Sequence, residues 1–257
     1  MIEVRGCMKI FPGREGHPPT RALDGFDLTV RDEEFVCLLG PSGCGKTTVL
    51  RILAGLLPWE AGEVLIDGRP VTGPGPDRAM VFQHFSLLPW ADVEENVAFG
   101  LEMRRVPAAE RKRAARHWIE AVGLAGFEHH HPRQLSGGMQ QRVGLARALA
   151  VDPRILLMDE PFGSVDSQTR RLLQEDLARV QQKERKAVVF VTHSMDEAVR
   201  MGDRVVLMGP RPGRVIESIE VPFPRPRLPE VRKEKAFVEL KEYLWGRLQA
   251  MQQNSGQ

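Results

Sequence analysis

The chain has 257 residues, 42% hydrophobic and 27% charged, with a formal net charge of +2. That composition belongs to a water-soluble globular chain, large enough for one α/β domain or a core with a subdomain, and its balanced charge gives no electrostatic case for nucleic acid as the main partner. No apolar run approaches the roughly 18 residues of a membrane span, the start "MIEVRGCMKIF" carries no apolar signal core, and Cys7, Cys37 and Cys44 form no ligand or paired pattern, so a cytosolic chain with reduced thiols is expected.

In chain order, residues 1–35 together with "GEVLIDGRPV" (62–71) show turn signals between short alternating runs and predict an antiparallel patch beside a main sheet. "FVCLLG" (35–40) is apolar without alternation, the mark of a strand covered on both faces of a parallel sheet. A helix is predicted over 46–56 and a strand over 79–83, "AMVFQ". From about Leu88 to Ala150 no strand stands out, and this stretch reads as a helical insert. Helices are predicted at 107–122, with Pro107 at its opening and Gly123 at its close, and at 137–150. Strands "ILLMDE" (155–160), "AVVFVTHS" (187–194) and "VVLM" (205–208) then alternate with helices at 167–184 and 194–201. After Val221, "PFPRPRLPEVRKEKAF" leads into a helix with Phe237, Leu240, Leu244, Leu248 and Met251 on one face, expected to pack back onto the domain.

"GPSGCGKT", Gly40 to Thr47, satisfies G-x-x-x-x-G-K-[ST] between a predicted strand and a predicted helix. In such a loop Gly40, Pro41, Ser42, Gly43, Cys44, Gly45, Lys46, Thr47 and Thr48 wrap nucleotide phosphates with backbone N–H groups, and the helix N-terminus adds partial positive charge. Lys46 is expected on the β- and γ-phosphates of ATP and the Thr47 hydroxyl on Mg²⁺. A buried strand ending in Asp159 and Glu160 is costly unless a cation sits there. Asp159 reads as the Mg²⁺-facing acid and Glu160 as the group that polarises the attacking water. Gln83 and His193 end two further strands at the edge where open α/β sheets bind ligands, which predicts convergence with Gly40, Asp159 and Glu160. Gln83 would contact Mg²⁺ water and nucleotide, and His193 the γ-phosphate. Cys44, inside the loop, is expected to lose ATP binding when alkylated.

"LSGGMQQR" (135–142) puts two glycines at the start of a helix, where they weaken it but leave amide groups accessible behind the N-cap Ser136. It reads as a second anion site. This motif resembles the signature of ATP-binding cassette (ABC) ATPases, and stands in that family's order after "GPSGCGKT" and Gln83 and before "ILLMDEP", "SVD" (164–166) and His193. The resemblance covers about residues 1–222, leaving 223–257 as a C-terminal extension. It implies an α/β phosphate-loop NTPase fold, a RecA-like parallel core with an antiparallel β subdomain and an α-helical subdomain at about 88–150. It further implies a head-to-tail homodimer in which Leu135, Ser136, Gly137, Gly138 and Gln140 meet the partner's ATP in trans, with Asp166 lining the interface.

"GPGPDRAMVFQHFSLLPWADVEENVAFGLE" (73–102) and "GPRPGRVIESIEVPFPRPR" (209–227) are similar to importers of the nitrate, sulfonate and taurine type. That branch implies a peripheral ATPase on the cytoplasmic side of the inner membrane, paired with an integral permease and, indirectly, an external solute-binding protein. Leu87, Leu88 and Trp90 read either as part of a groove for a permease helix or as packing of the insert. In place of the family's usual adenine-stacking tyrosine the best match is Phe11, since the only tyrosine is Tyr243; Glu33 replaces a turn glycine and "SVD" replaces "ALD". "EHHHP" (128–132) reads as a surface loop, and the basic stretch 104–117 as a solvated helix face. Among rivals, a DNA-maintenance cassette needs long insertions, and only 90 residues separate Lys46 from Ser136. A GTPase needs "NKxD", which is absent.

Overall fold

The computed structural model describes residues 1–13, 18–163, 167–225, 227 and 229–253. Its elements in chain order begin with β1 (Ile2–Phe11), β2 (Thr20–Val30), β3 (Phe35–Leu39), α1 (Lys46–Leu53), β4 (Ala61–Ile66), β5 (Arg69–Pro70) and β6 (Arg78–Val81). They continue with α2 (Val93–Met103), α3 (Ala108–Ala121), α4 (Gly137–Ala150), β7 (Ile155–Asp159), α5 (Ser167–Glu184), β8 (Ala187–Thr192), α6 (Met195–Met201), β9 (Arg204–Met208), β10 (Val215–Glu220) and α7 (Lys235–Gln253). Two compact units form, Met1–Gly75 with Lys186–Gln257, and Pro76–Arg185.

The first unit holds the antiparallel patch, in the order β2-β1-β4-β5. Beside it β9, β3 and β8 pair in parallel, with β3 central and β10 antiparallel on the edge of β9. Every residue of β3 and β8 is buried, which is why both read as unbroken apolar runs. β10 alternates half-buried and exposed residues, as an edge strand does, and its mixed "VIESIE" was not predicted as a strand. The predicted helix at 46–56 stops at Leu53, because Gly55 turns left-handed (φ 73°) and its N–H bonds back to Ile52 O.

The second unit pairs β6 with β7 in parallel and packs α2, α3 and α4 against one another. α2 starts at a capping box, Asp92 accepting from Glu95 N while the Glu95 carboxylate accepts from Asp92 N. Its apolar stripe of Val93, Val97 and Leu101 is buried. α3 begins one residue after Pro107, which serves as its N-cap, and closes at left-handed Gly123.

The C-terminal helix folds back as its pattern predicts. Phe237, Leu244, Leu248 and Met251 are buried, Leu240 only partly, and α7 packs against α6. The Phe223 and Phe237 rings meet at 6.1 Å. Arg227 adds a polar anchor, donating to Val199 O (3.0 Å) and Gly202 O (2.5 Å) at the carbonyl end of α6. Leu244→Ala is therefore expected to cost about 2–5 kcal/mol in urea unfolding, while Trp245→Ala, on the exposed face, should stay within about 0.5 kcal/mol.

Candidate active site

In the first unit, β3 delivers the chain into the phosphate loop. Gly40 admits no side chain, since a Cβ there would lie 2.7 Å from Met208 O and 2.9 Å from Cys44 Sγ. Gly43 (φ 76°) and Gly45 (φ 99°) take left-handed backbone, and a Cβ on Gly45 would meet Leu23 Cδ2 at 2.8 Å. Gly45 is the N-cap of α1, and no side chain caps that end, so its first-turn amides are left for an anion. Lys46 is buried, its Nζ donating to Gly40 O (2.8 Å) and Pro41 O (2.9 Å), which folds the ammonium across the loop. The β3–β8 register pairs Leu39 with Thr192, so one residue further His193 comes level with Gly40.

His193 lies one residue past β8 rather than inside it, and is exposed. The chain turns there because Thr192 Oγ1 accepts from Ser194 N (3.0 Å) while Ser194 caps α6 by accepting from Glu197 N (3.3 Å). Thr192 Oγ1 also donates to the buried Glu197 carboxylate at 2.5 Å. Thr192, Ser194 and Glu197 were not singled out in the sequence; the S-x-x-E capping pattern was the available signal. Phe11 ends β1 with its ring exposed and Lys9 Nζ 5.5 Å from the ring centroid.

Cys44 lies inside the loop. It is fully buried, and burial pushes its thiol up against the opposing pull of Lys46, so little thiolate forms near neutral pH.

In the second unit, β6 pairs Val81 with Met158, and the same register two residues on sets Gln83 opposite Glu160. Gln83 Nε2 donates to Glu160 Oε2 at 3.4 Å. Gln83 sits in a bend beyond the strand, which ends at Val81 and not at 83 as predicted. Asp159 is the buried last residue of β7, whereas Glu160 is partly exposed. Glu160 also has φ 43°, a left-handed conformation that costs a non-glycine residue of order 1 kcal/mol and swings its carboxylate out of the strand's alternation.

The same unit holds the glycine-rich helix start. Ser136 is the N-cap of α4, accepting from Met139 N (3.3 Å), and no acid occupies the first turn. Ser136 and Gly137 are exposed; Leu135 and Gly138 are buried beneath them. The Gln140 amide donates to Pro132 O (3.0 Å) and Leu135 O (3.2 Å), which ties the loop before the helix to its first turn. Asp166 lies outside the described residues.

Two residues that carry this framework were missed. Arg147 of α4 donates to Ser86 O (2.8 Å) and Phe85 O (3.1 Å), and burial lowers its pKa. Fully buried Asn96 accepts from Leu88 N and donates to the carbonyls of Leu88, Ala91 and Asp92. Both sit in ordinary helical patterns, so neither shows in periodicity. Of "HFSLLPW", Leu87 and Leu88 are partly buried and Trp90 is 74% exposed. Among the described residues, no group of three or more His, Cys, Asp or Glu is placed to hold a metal ion.

Residues 23–163 match the family model described as ABC transporter. The chain belongs to the ABC transporter family. It is 50% identical over 242 residues to an uncharacterized ABC transporter ATP-binding protein of Methanocaldococcus jannaschii, covering 94% of this chain and 88% of that one. It is 42% identical over 260 residues to the taurine import ATP-binding protein TauB of Pseudomonas entomophila, covering 99% of each. The dimeric structure of the bacterial ABC transporter cassette MJ0796 superposes with a TM-score of 0.78 at 33% identity, over 87% of this chain and 100% of that one. The same cassette has been seen in a dimeric post-hydrolysis state bound to ADP and Pi. The fold is thus the α/β phosphate-loop NTPase type, and this ABC ATPase binds and hydrolyses ATP.

Burial of all three cysteines gives a direct check. A thiol reagent such as DTNB at pH 8 should find almost no reactive thiol in the folded ABC ATPase and about three after denaturation, with Cys44 appearing only on unfolding.

Proposed function

We propose that this ABC ATPase energises uptake of a small anionic solute of the nitrate, sulfonate or taurine type through a partner permease. Full-length similarity to taurine import ATP-binding proteins from several bacteria supports the importer reading. The observation that carries the hydrolytic part is the pairing of Gln83 with a partly exposed, left-handed Glu160 beside buried Asp159.

In this reading the amides of residues 40–48 and the Lys46 ammonium hold the ATP phosphates, and Phe11 stacks on adenine. Thr47, Asp159 and Gln83 offer a hydroxyl, one carboxylate and an amide. That oxygen set fits Mg²⁺, which takes few protein ligands and completes its shell with phosphate and water. When bound, Mg²⁺ neutralises charge on the β- and γ-phosphates. Glu160 takes the proton of the attacking water, Gln83 holds the Glu160 carboxylate in place, and His193 donates to the γ-phosphate oxygen.

Two copies act head to tail. Ser136, Gly137 and Gly138 present the amides of α4 to the partner's ATP, Leu135 and Gln140 brace that turn, and Asp166 lines the interface. The ATPase is peripheral, on the cytoplasmic side of the membrane. Among the described residues no helix is long and apolar enough to cross a membrane, which leaves the solute path to the permease. An external solute-binding protein acts indirectly, through that permease. Exposed Trp90, with Leu87 and Leu88 beside it, supplies an apolar contact for a permease helix.

Glu160→Gln should lower ATP turnover at least 100-fold while leaving the nucleotide dissociation constant within about threefold. Turnover near the wild-type rate in a phosphate-release assay would remove Glu160 from its role. With Mg-ATP the same variant should sediment as a dimer, and adding Ser136→Arg should return it to monomer.

A further inference from the structure

The "GPRPGR" turn between β9 and β10 (209–214) is longer than a strand connection needs, and the roles above make no use of it. It lies against the phosphate loop in the same unit. Gly213 N donates to Ala22 O (2.8 Å), Asp24 N donates to Gly213 O (3.3 Å), and a Cβ on Gly213 would fall 2.1 Å from Cys44 O. Main chain is thus pressed onto main chain, with residues 22–24 of β2 as the third partner. Gly209 N closes the turn on Arg214 O at 2.9 Å.

This seating brings Arg211 to Gly43. Arg211 Nε donates to Gly43 O at 3.4 Å, and its Nη2 lies 3.3 Å from where a Gly43 Cβ would be. Other arginines of this region have acids: Arg204 with Glu34 (2.8 Å), Arg214 with Asp24, and Arg225 with Asp203 (2.8 Å). Among the described residues Arg211 has no carboxylate partner, and its one bond is long and to a neutral carbonyl. A guanidinium carries five donors in a planar fork suited to phosphate. An exposed cation held at a phosphate loop without an acid to neutralise it has an anionic ligand as its natural complement.

We propose that Arg211 binds the nucleotide's phosphates, making residues 209–214 an added wall of the phosphate site. The proposal rests on reading residues 40–48 as that site. Lys46 and the loop amides hold the phosphate chain from within, and Arg211 adds charge from the turn beside Gly43.

The test is calorimetric titration with ADP, which is not turned over, on wild type, Arg211→Ala, Arg211→Lys and Lys46→Ala. Arg211→Ala should bind about tenfold more weakly and Arg211→Lys about two- to threefold, as loss of a charge-assisted bond implies. The melting temperature of the nucleotide-free protein should not move, and the salt dependence of binding should flatten in Arg211→Ala. Wild-type affinity in Arg211→Ala, with binding lost in Lys46→Ala, overturns the proposal and leaves the phosphate-loop reading intact. Unchanged affinity in Lys46→Ala removes that reading, and the proposal with it. Weakened binding that comes with a lower melting temperature and is not restored by Arg211→Lys also overturns it, since the side chain would then only be holding the turn.

Discussion

Close contact of backbone with backbone around residues 40–48 is the constraint on which the rest of the structure depends. The carbonyl of Met208 allows no Cβ at Gly40, Cys44 O allows none at Gly213, and Gly45 combines a left-handed backbone (φ 99°) with close approach by Leu23 and Ala22. Two chain segments far from it in sequence, 22–23 and 208–213, therefore press closely on one loop. Loop amides stay aimed at a ligand only when the chain behind them cannot recoil, and glycine at these positions is what lets the supports come so near. The cost in chain entropy is met by the buried strands on either side, β3 and β8, whose side chains are wholly enclosed.

Burial divides two adjacent acids, Asp159 and Glu160. Asp159 ends a fully buried strand and stays within its alternation. Glu160 leaves that alternation through a left-handed backbone, and its carboxylate accepts from Gln83 outside the strand pair. Neighbours in sequence thus acquire different surroundings, as two carboxylates with separate roles would need. Parallel register carries Gln83 to its place, so the geometry depends on β6 and β7 staying in step.

Much of this was readable before any coordinates. Doubly buried strands announced themselves as apolar runs, and the G-x-x-x-x-G-K-T pattern needed only its strand and helix neighbours to be recognised. Helix α4 begins at the residue after its N-cap serine, as its capping chemistry required. Strand ends were less legible: 79–83 and 187–194 both ran two residues too far, and the turn beyond Thr192 is made by hydrogen bonds that hydropathy does not record. The burial of Cys44 was not legible either, since a loop position reads as exposed until the packing around it is known. Arg147 and Asn96 escaped because a single polar residue in a helix looks the same whether it faces water or grips a neighbouring carbonyl.

Arg147 gives the second unit a property beyond stability. Its guanidinium leaves α4 and clasps two successive carbonyls, those of Phe85 and Ser86, just after Gln83 and just before the segment bearing Trp90. Asn96 staples the far end of that segment to α2, which packs on α4. The stretch from 85 to 92 is thus tied at both ends to the helix layer. Trp90 is therefore carried, exposed, on backbone tethered to helices on both sides of it.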